Sequence, residues 1–369
     1  MILGHGKIKK SVNLHMSKIE KIAVIGEGKM GSSIFLYLNS FKFKLYWLCS
    51  SEAESDKARK TWYKKTKLQY QSGIISEEEF IIKSETTIVT NLVTNLKDCD
   101  LIIEAISEDM SAKRKLFEIL DNCISPNCIF TSNSSSILPS LLVPSADRSD
   151  KFAGMHFFFP VALKTTVELI TNDSTSLQTK ETLDHFLKQI GKKSFVQNEA
   201  NAFILNRLLL DFQAGAYLIF LEGQLSYNEI DELVRLYIFP IGVFEFFDQV
   251  GIDVMLSSIK SYTQNETNKE FYYPLIKKLE ELVALKHLGV KTKQGFYDYT
   301  KRESEDKTIQ NRKEDKDFTN KNATDLLWNY YIGSVSRITE TGLCSKEDLA
   351  HALKDYLGID TDPLMRIIP

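Results

Sequence analysis

The stretch KIAVIGEGKMGSSIFLYLNSF, residues 21–41, decides how the rest of the chain is read. Ile22 to Ile25 form a short apolar run rich in β-branched residues, which predicts a buried strand. Gly26, Gly28 and Gly31 follow, and the apolar positions through Leu38 then recur at helical spacing. Strand, tight turn and helix, with G-x-G-x-x-G at the turn, is the pattern that brings a helix N-terminus up to a pyrophosphate. Gly26 permits the turn, Gly28 lets a phosphate approach the backbone, and Gly31 lets helix and strand pack closely. Lys29 and Met30 lie inside this loop and are counted with it as ligand contacts.

Working outward, KLYWLC at 44–49 reads as a second strand and completes a β-α-β unit. KDCDLIIEAI at 97–106 and CIFTSNSS at 128–135 read as further buried strands of a parallel sheet, with a helix at 111–123 between them. KFAGMHFFFPV and TTVELIT extend that sheet. After about residue 197 strand patterning gives way to helical spacing in ANAFILNRLLLDFQAGAYLIFLEG. The expected fold class is therefore α/β: an N-terminal Rossmann-type doubly wound sheet followed by an all-α C-terminal domain. The expected boundaries are an N-terminal extension at 1–18, the nucleotide-binding domain at 19–197, a helical domain at 198–300, a charged linker at 301–325 and a C-terminal helical segment at 326–369. EGQLSYNEIDEL at 222–233 and TGLCSKEDLAHAL at 341–353 share Gly, Ser and an acid three residues on, so the tail reads as a partial repeat of the helical domain or as a second helix cap of the same kind.

A chain of 369 residues, 43% hydrophobic and with a net charge of -3, gives no electrostatic reason for a nucleic-acid or membrane partner; the expected ligand is small. No apolar run is read as approaching the roughly 18 residues of a membrane span, and the first 21 residues lack the apolar core of a signal peptide, so a cytoplasmic location is expected. The five cysteines lack metal or redox spacing and the six histidines do not cluster, so no metal is expected. The apolar stretch FILNRLLLDFQAGAYLIFL exceeds what one bundle helix usually buries, which predicts a homodimer through the helical domain.

A loop of this kind binding NAD should have an acid at the end of the second strand to hold the adenine ribose. Here that strand ends LCSSE, and Cys49 stands in the acid's place. Losing one charge-assisted hydrogen bond weakens binding by about 10- to 100-fold. The ribose is left to Ser50 or Ser51, with Glu52 reaching back, and no Arg follows to select a 2′-phosphate. NADH binding is expected to be weak and only modestly preferred over NADPH.

Three polar groups stand at strand ends among apolar sequence: the SNSSS cluster at 132–136, His156 within AGMHFFFPV, and Glu168 in TTVELI. Carboxyl ends of strands are where ligands bind in open α/β sheets, so the three converge beside a nicotinamide if that geometry holds. A His paired with a carboxylate beside a hydroxyl suits removal of a proton from an alcohol while hydride leaves for NAD.

With VIGEGKMG at 24–31, DCDLIIEAISED at 98–109, SNSSS at 132–136, FAGMHFFFPV at 152–161, VELI at 167–170, NRLL at 206–209 and KTKQGFYDY at 291–299 in this order, the chain resembles the 3-hydroxyacyl-CoA dehydrogenase family over roughly residues 19–300. The resemblance implies NAD as cofactor, an acyl-CoA substrate oxidised from (3S)-3-hydroxyacyl-CoA or formed in the reverse reduction, and a homodimer. It implies that His156 is the general base and Glu168 its orienting carboxylate, that Ser135 hydrogen-bonds the substrate oxygen, and that Asn206 is the active-site asparagine. It also implies that Glu108, Lys113 and Asn133 face the cofactor. The sequence departs from the family at Cys49, at Phe159, where HFFNP has asparagine, at Asn201-Ala202, in the shorter RLYIFPIGVFE and at Val243. Two further readings follow from these departures: a non-catalytic relative that binds acyl-CoA or nucleotide, and a dehydrogenase of another hydroxy acid.

Overall fold

Residues 21–41 form β1 (Lys21–Ile25) and α1 (Lys29–Leu38), joined by the glycine turn. They belong to a computed structural model that describes residues 18–199, 204–223, 225–263, 268–300, 313–340 and 344–357. The N-terminal extension up to 17, Asn201-Ala202, residues 301–312 of the charged segment and residues 358–369 lie outside these.

The first domain continues with β2 (Lys44–Leu48), α2 (Glu52–Gln71), α3 (Glu77–Thr86), β3 (Thr87–Thr90), β4 (Leu101–Glu104), α4 (Met110–Cys123), β5 (Ile129–Ser132), β6 (Phe152–Phe157), β7 (Thr166–Thr171), α5 (Leu177–Gln189) and β8 (Lys193–Asn198). One sheet holds all the strands in the order β3-β2-β1-β4-β5-β6-β7-β8, parallel throughout except between β6 and β7. Chain order reverses between β1 and β4, and their carboxyl ends open the crevice where such sheets bind ligands. β3 and β8 are additional to the strands read from the sequence: TIVT is too short to carry a pattern, and KSFVQN is an edge strand with exposed Val196.

β6 answers why a histidine sits among phenylalanines. Side chains alternate across a strand, so Met155 and Phe157 enter the core on one face and His156 stands on the other. Register then sets His156 directly opposite Glu168 on the antiparallel neighbour β7.

The helical domain comprises α6 (Ile204–Leu221), α7 (Tyr227–Tyr237), α8 (Val243–Val250), α9 (Ile252–Thr263) and α10 (Lys269–Ala284), and the tail adds α11 (Lys313–Glu340) and α12 (Lys346–Leu357). Contrary to the reading of the apolar runs, α6 is long and apolar enough to cross a membrane by length and composition. Every residue from Leu208 to Tyr217 is buried, because α10 and α11 cover the helix. The apolar surplus that pointed to a homodimer is thus covered by the chain's own tail. Gly215 makes the fit: a Cβ there would come within 2.2 Å of the Tyr330 ring of α11. Asp211 of α6 pins the same interface, accepting from Tyr272 and, at 2.6 Å, from the Ser334 hydroxyl of α11, and pairing closely with Arg337.

The charged linker expected at 301–325 is corrected for its second part, since α11 begins at Lys313. Its early turns lack an apolar stripe, and the helix is set by the packed residues Ala323, Leu327, Tyr331 and Ile338 further along. The echo between 222–233 and 341–353 falls on two helix starts. Glu229 donates its backbone N–H to Ser226, and Asp348 donates its own to Ser345.

Candidate active site

Gly26 has φ 111°, and a Cβ there would meet the Ala105 carbonyl oxygen at 2.6 Å; a Cβ on Gly31 would lie 2.1 Å from the Gly26 carbonyl oxygen. Turn and close packing both require glycine at these two places. A Cβ on Gly28 meets nothing within 4 Å, so the backbone there is open to a ligand. Gly28 is also the N-cap of α1, with no side-chain cap and no acid in the first turn, which leaves helix N–H groups for a phosphate. These residues fit the diphosphate of a dinucleotide.

At the ribose end the structure corrects the sequence reading. Cys49 is buried in the core beside Trp47 and Ala58, and burial pushes its thiol up to about 11, so it does not supply the charge of the missing acid. Ser51 is occupied as the N-cap of α2, and Glu52 lies in that helix's first turn. The carboxylate at this place comes from the phosphate loop itself: Glu27 accepts the Ser50 backbone N–H at 3.2 Å and, more closely, the Ser50 hydroxyl. Sequence reasoning missed Glu27 because it looked for the acid on β2, while the loop's own variable position turns back to the end of that strand.

His156 and Glu168 form the centre of the site. Glu168 Oε2 lies 2.7 Å from His156 Nδ1, and Glu168 Oε1 accepts the Leu205 backbone N–H of α6 at 3.3 Å. Glu168 is fully buried, so both its oxygens are held. The serine cluster is held by a second set of carboxylates. Glu108 accepts the N–H groups of Ser135 and Ser136 and the hydroxyls of Ser134 and Ser136. Burial opposes its charge, but Lys113 and these donors outweigh that and hold its carboxyl below the ordinary value.

Glu108 reaches the cavity, as do Lys29, Met30, Asn133, Ser135 and His156. Lys113 does not. It is 1% exposed, bonded at 2.6 Å to the buried Glu104, and pairs with Glu108 from beneath. Glu104 accepts at the same time from the Ser132 hydroxyl at 2.5 Å, so this buried pair sets the strand ends. An acid closing an otherwise apolar strand, LIIE, was the available signal for Glu104. Asn133 ties the same region to the dyad, its Oδ1 accepting the Phe157 backbone N–H at 2.8 Å.

The cavity has a volume of about 870 Å3 and runs from the phosphate loop past His156 into the helical domain. Asn206 lines it and donates to the Tyr262 hydroxyl at 2.9 Å, which lies 3.3 Å from the Ser135 carbonyl oxygen and so bridges the two domains. Burial pushes the Tyr262 phenol upward, so it stays a neutral donor. Beyond Asn206 and Tyr262 the helical side is mainly apolar, with Leu209, Val243, Met255 and Ile259. Phe159 stands at the mouth, 46% exposed, with the Lys29 ammonium 4.2 Å from its ring centre.

A glycine loop open to a diphosphate, a His–Glu pair at the end of the sheet and an apolar cleft beyond it define a nucleotide-dependent dehydrogenase of a small organic substrate. Comparison with known proteins gives the family. Residues 21–200 match the NAD binding domain of 3-hydroxyacyl-CoA dehydrogenase and residues 203–299 match its C-terminal domain. The chain is 36% identical over 284 residues to a 3-hydroxybutyryl-CoA dehydrogenase of Clostridioides difficile, covering 76% of this chain and 100% of that one. It resembles the crystal structure of the (S)-3-hydroxybutyryl-CoA dehydrogenase of Ralstonia eutropha with a TM-score of 0.70 and 29% identity, over 77% of this chain and 100% of that one. A 3-hydroxybutyryl-CoA dehydrogenase structure from Escherichia coli K12 shares the fold over 95% of this chain and 91% of its own, with a TM-score of 0.78 and 20% identity. The chain belongs to the 3-hydroxyacyl-CoA dehydrogenase family, and its cofactor is NAD.

Proposed function

We propose that this protein interconverts (3S)-3-hydroxyacyl-CoA and 3-oxoacyl-CoA, with His156 as general acid–base and Glu168 as the carboxylate that orients it. The supporting observation is the 2.7 Å contact between His156 Nδ1 and a fully buried carboxylate on the cavity wall. With Nδ1 turned to Glu168, Nε2 is the nitrogen offered to the substrate. In oxidation the 3-hydroxyl proton passes to Nε2 while the C3 hydrogen leaves as hydride and the C=O bond forms. Bound NAD supplies the hydride acceptor. Glu168 stabilises the imidazolium that results, and in the reverse direction His156 returns the proton. Ser135, on the cavity wall, would hold the substrate oxygen, and Asn206, fixed by Tyr262, borders the same space.

The adenine ribose is assigned to Glu27 rather than to Cys49. A carboxylate there accepts from the ribose hydroxyls and repels a 2′-phosphate, which selects NAD over NADP. Phe159 and Cys49, the departures that favoured a non-catalytic reading, remove nothing from this arrangement: one stands at the mouth and the other lies in the core. The test is incubation of purified protein with acetoacetyl-CoA and NADH while the nicotinamide absorbance is followed. Steady loss of absorbance, slower with NADPH, is expected. A flat trace across several acyl lengths overturns the proposal.

A further inference from the structure

The family match ends at residue 299, yet the tail beyond it reaches the catalytic cavity. α12 docks on the connection between β6 and β7, immediately after His156. Lys164 donates from Nζ to the backbone oxygens of Asp355 at 2.9 Å and Tyr356 at 2.8 Å, taking up carbonyls at the end of the helix. The Asp355 carboxylate accepts the backbone N–H groups of Thr165 at 3.0 Å and Thr166 at 2.8 Å, and the Thr165 hydroxyl at 2.8 Å. Leu349, Ala352 and Leu353 bury the apolar face of the helix.

This docking sets Tyr356 in a row of rings. Its ring centre lies 4.8 Å from that of Phe158, and Phe158 lies 4.8 Å, edge-on, from His156. Phe158 is buried and belongs to the apolar core of the helical domain, with Tyr356 packed against the same core. Two arms leave the reacting carbon of a 3-hydroxyacyl thioester. The CoA arm is large and charged and must run to solvent, which the cavity meets at the exposed Phe159 and at Val250 and Val254 of the helical domain. The alkyl arm needs an apolar wall, and Phe158 with Tyr356 offers one beside His156.

We propose that Tyr356 is a specificity-determining residue that sets the length of acyl chain the site accepts, and that α12 is therefore part of the substrate site. The proposal rests on the function argued above. Apolar pockets discriminate by about 10- to 200-fold per methylene, so removing or enlarging a ring has a readable effect on chain-length preference. The experiment compares kcat/KM for 3-oxodecanoyl-CoA and acetoacetyl-CoA, with NADH, in the wild type, Tyr356→Ala and Tyr356→Trp. Relative to wild type, the ratio of long to short substrate is expected to rise by at least about tenfold in the alanine variant and to fall in the tryptophan variant. An unchanged ratio in a variant that melts with the wild type, or a uniform loss with every acyl length, overturns the role of Tyr356. A wild type inactive on both substrates contradicts the proposed function instead, so the two failures are told apart in one assay.

Discussion

The two walls of the cavity are built on opposite principles. On the sheet side His156, Glu108 and Asn133 are each held by a bond to a buried neighbour, so moving one atom leaves another polar group unsatisfied. On the helical side Leu209, Val243, Met255 and Tyr356 meet the cavity through apolar surface, where a change of size alters fit and leaves no orphaned bond. Such a division lets the chemistry stay fixed while substrate preference changes. Substitutions on the first wall should therefore reduce turnover with every substrate, and those at the apolar positions of the second should reorder substrates.

The sharpest way to break this contrast is Glu168→Gln. It keeps the shape but removes the charge that orients His156, and turnover is expected to fall by about 10²- to 10⁴-fold with NADH binding intact. Equal loss of binding, read by nicotinamide fluorescence, would mean that Glu168 serves the fold alone. Next is Glu27→Gln, expected to weaken NADH binding by about 10- to 100-fold and to narrow its advantage over NADPH. Cys49→Asp sharpens the same point. Its side chain is buried, so the new carboxylate should lower the melting temperature and bring no gain in NADH affinity; a clear gain would return the ribose to β2.

The smallest effect belongs to the tail. Burial opposes the charge of Asp355, but the Thr165 and Thr166 N–H groups outweigh it and hold its carboxyl below the ordinary value. Its contribution is thus complete above the unfolded value of about 4 and is lost as pH falls through the lower folded one. Asp355→Asn should lower Tm by about 2 °C at neutral pH, with the difference from wild type closing in strong acid. A gap that persists in strong acid would show that the carboxylate's charge does not hold α12.

These regions were unequally legible in the sequence. The phosphate loop and the His156–Glu168 pair could be read because local patterns fix them: a glycine spacing in one case, two apolar strands each broken by one polar residue in the other. The position of Glu27 against Ser50 was hidden because it depends on where the loop folds back, and the burial of Lys113 beneath Glu108 was hidden because sequence order does not say whether a lysine lies over or under a loop. Tyr356 gave no signal at all. Its position follows from α12 docking on residues about 190 positions earlier, which nothing local announces. Helix α6 shows a related limit, since a long, largely apolar helix predicts a cover without saying whether a second copy, a membrane or the chain's own tail supplies it.

The central claim, that His156 moves the proton and leaves cofactor binding to other residues, is tested most directly by His156→Gln. NADH affinity and acetoacetyl-CoA turnover should be measured on the same preparation. The account predicts turnover lower by about 10²- to 10⁴-fold with NADH affinity within about twofold of wild type. Full turnover in the variant, or NADH binding lost in step with turnover, would contradict it.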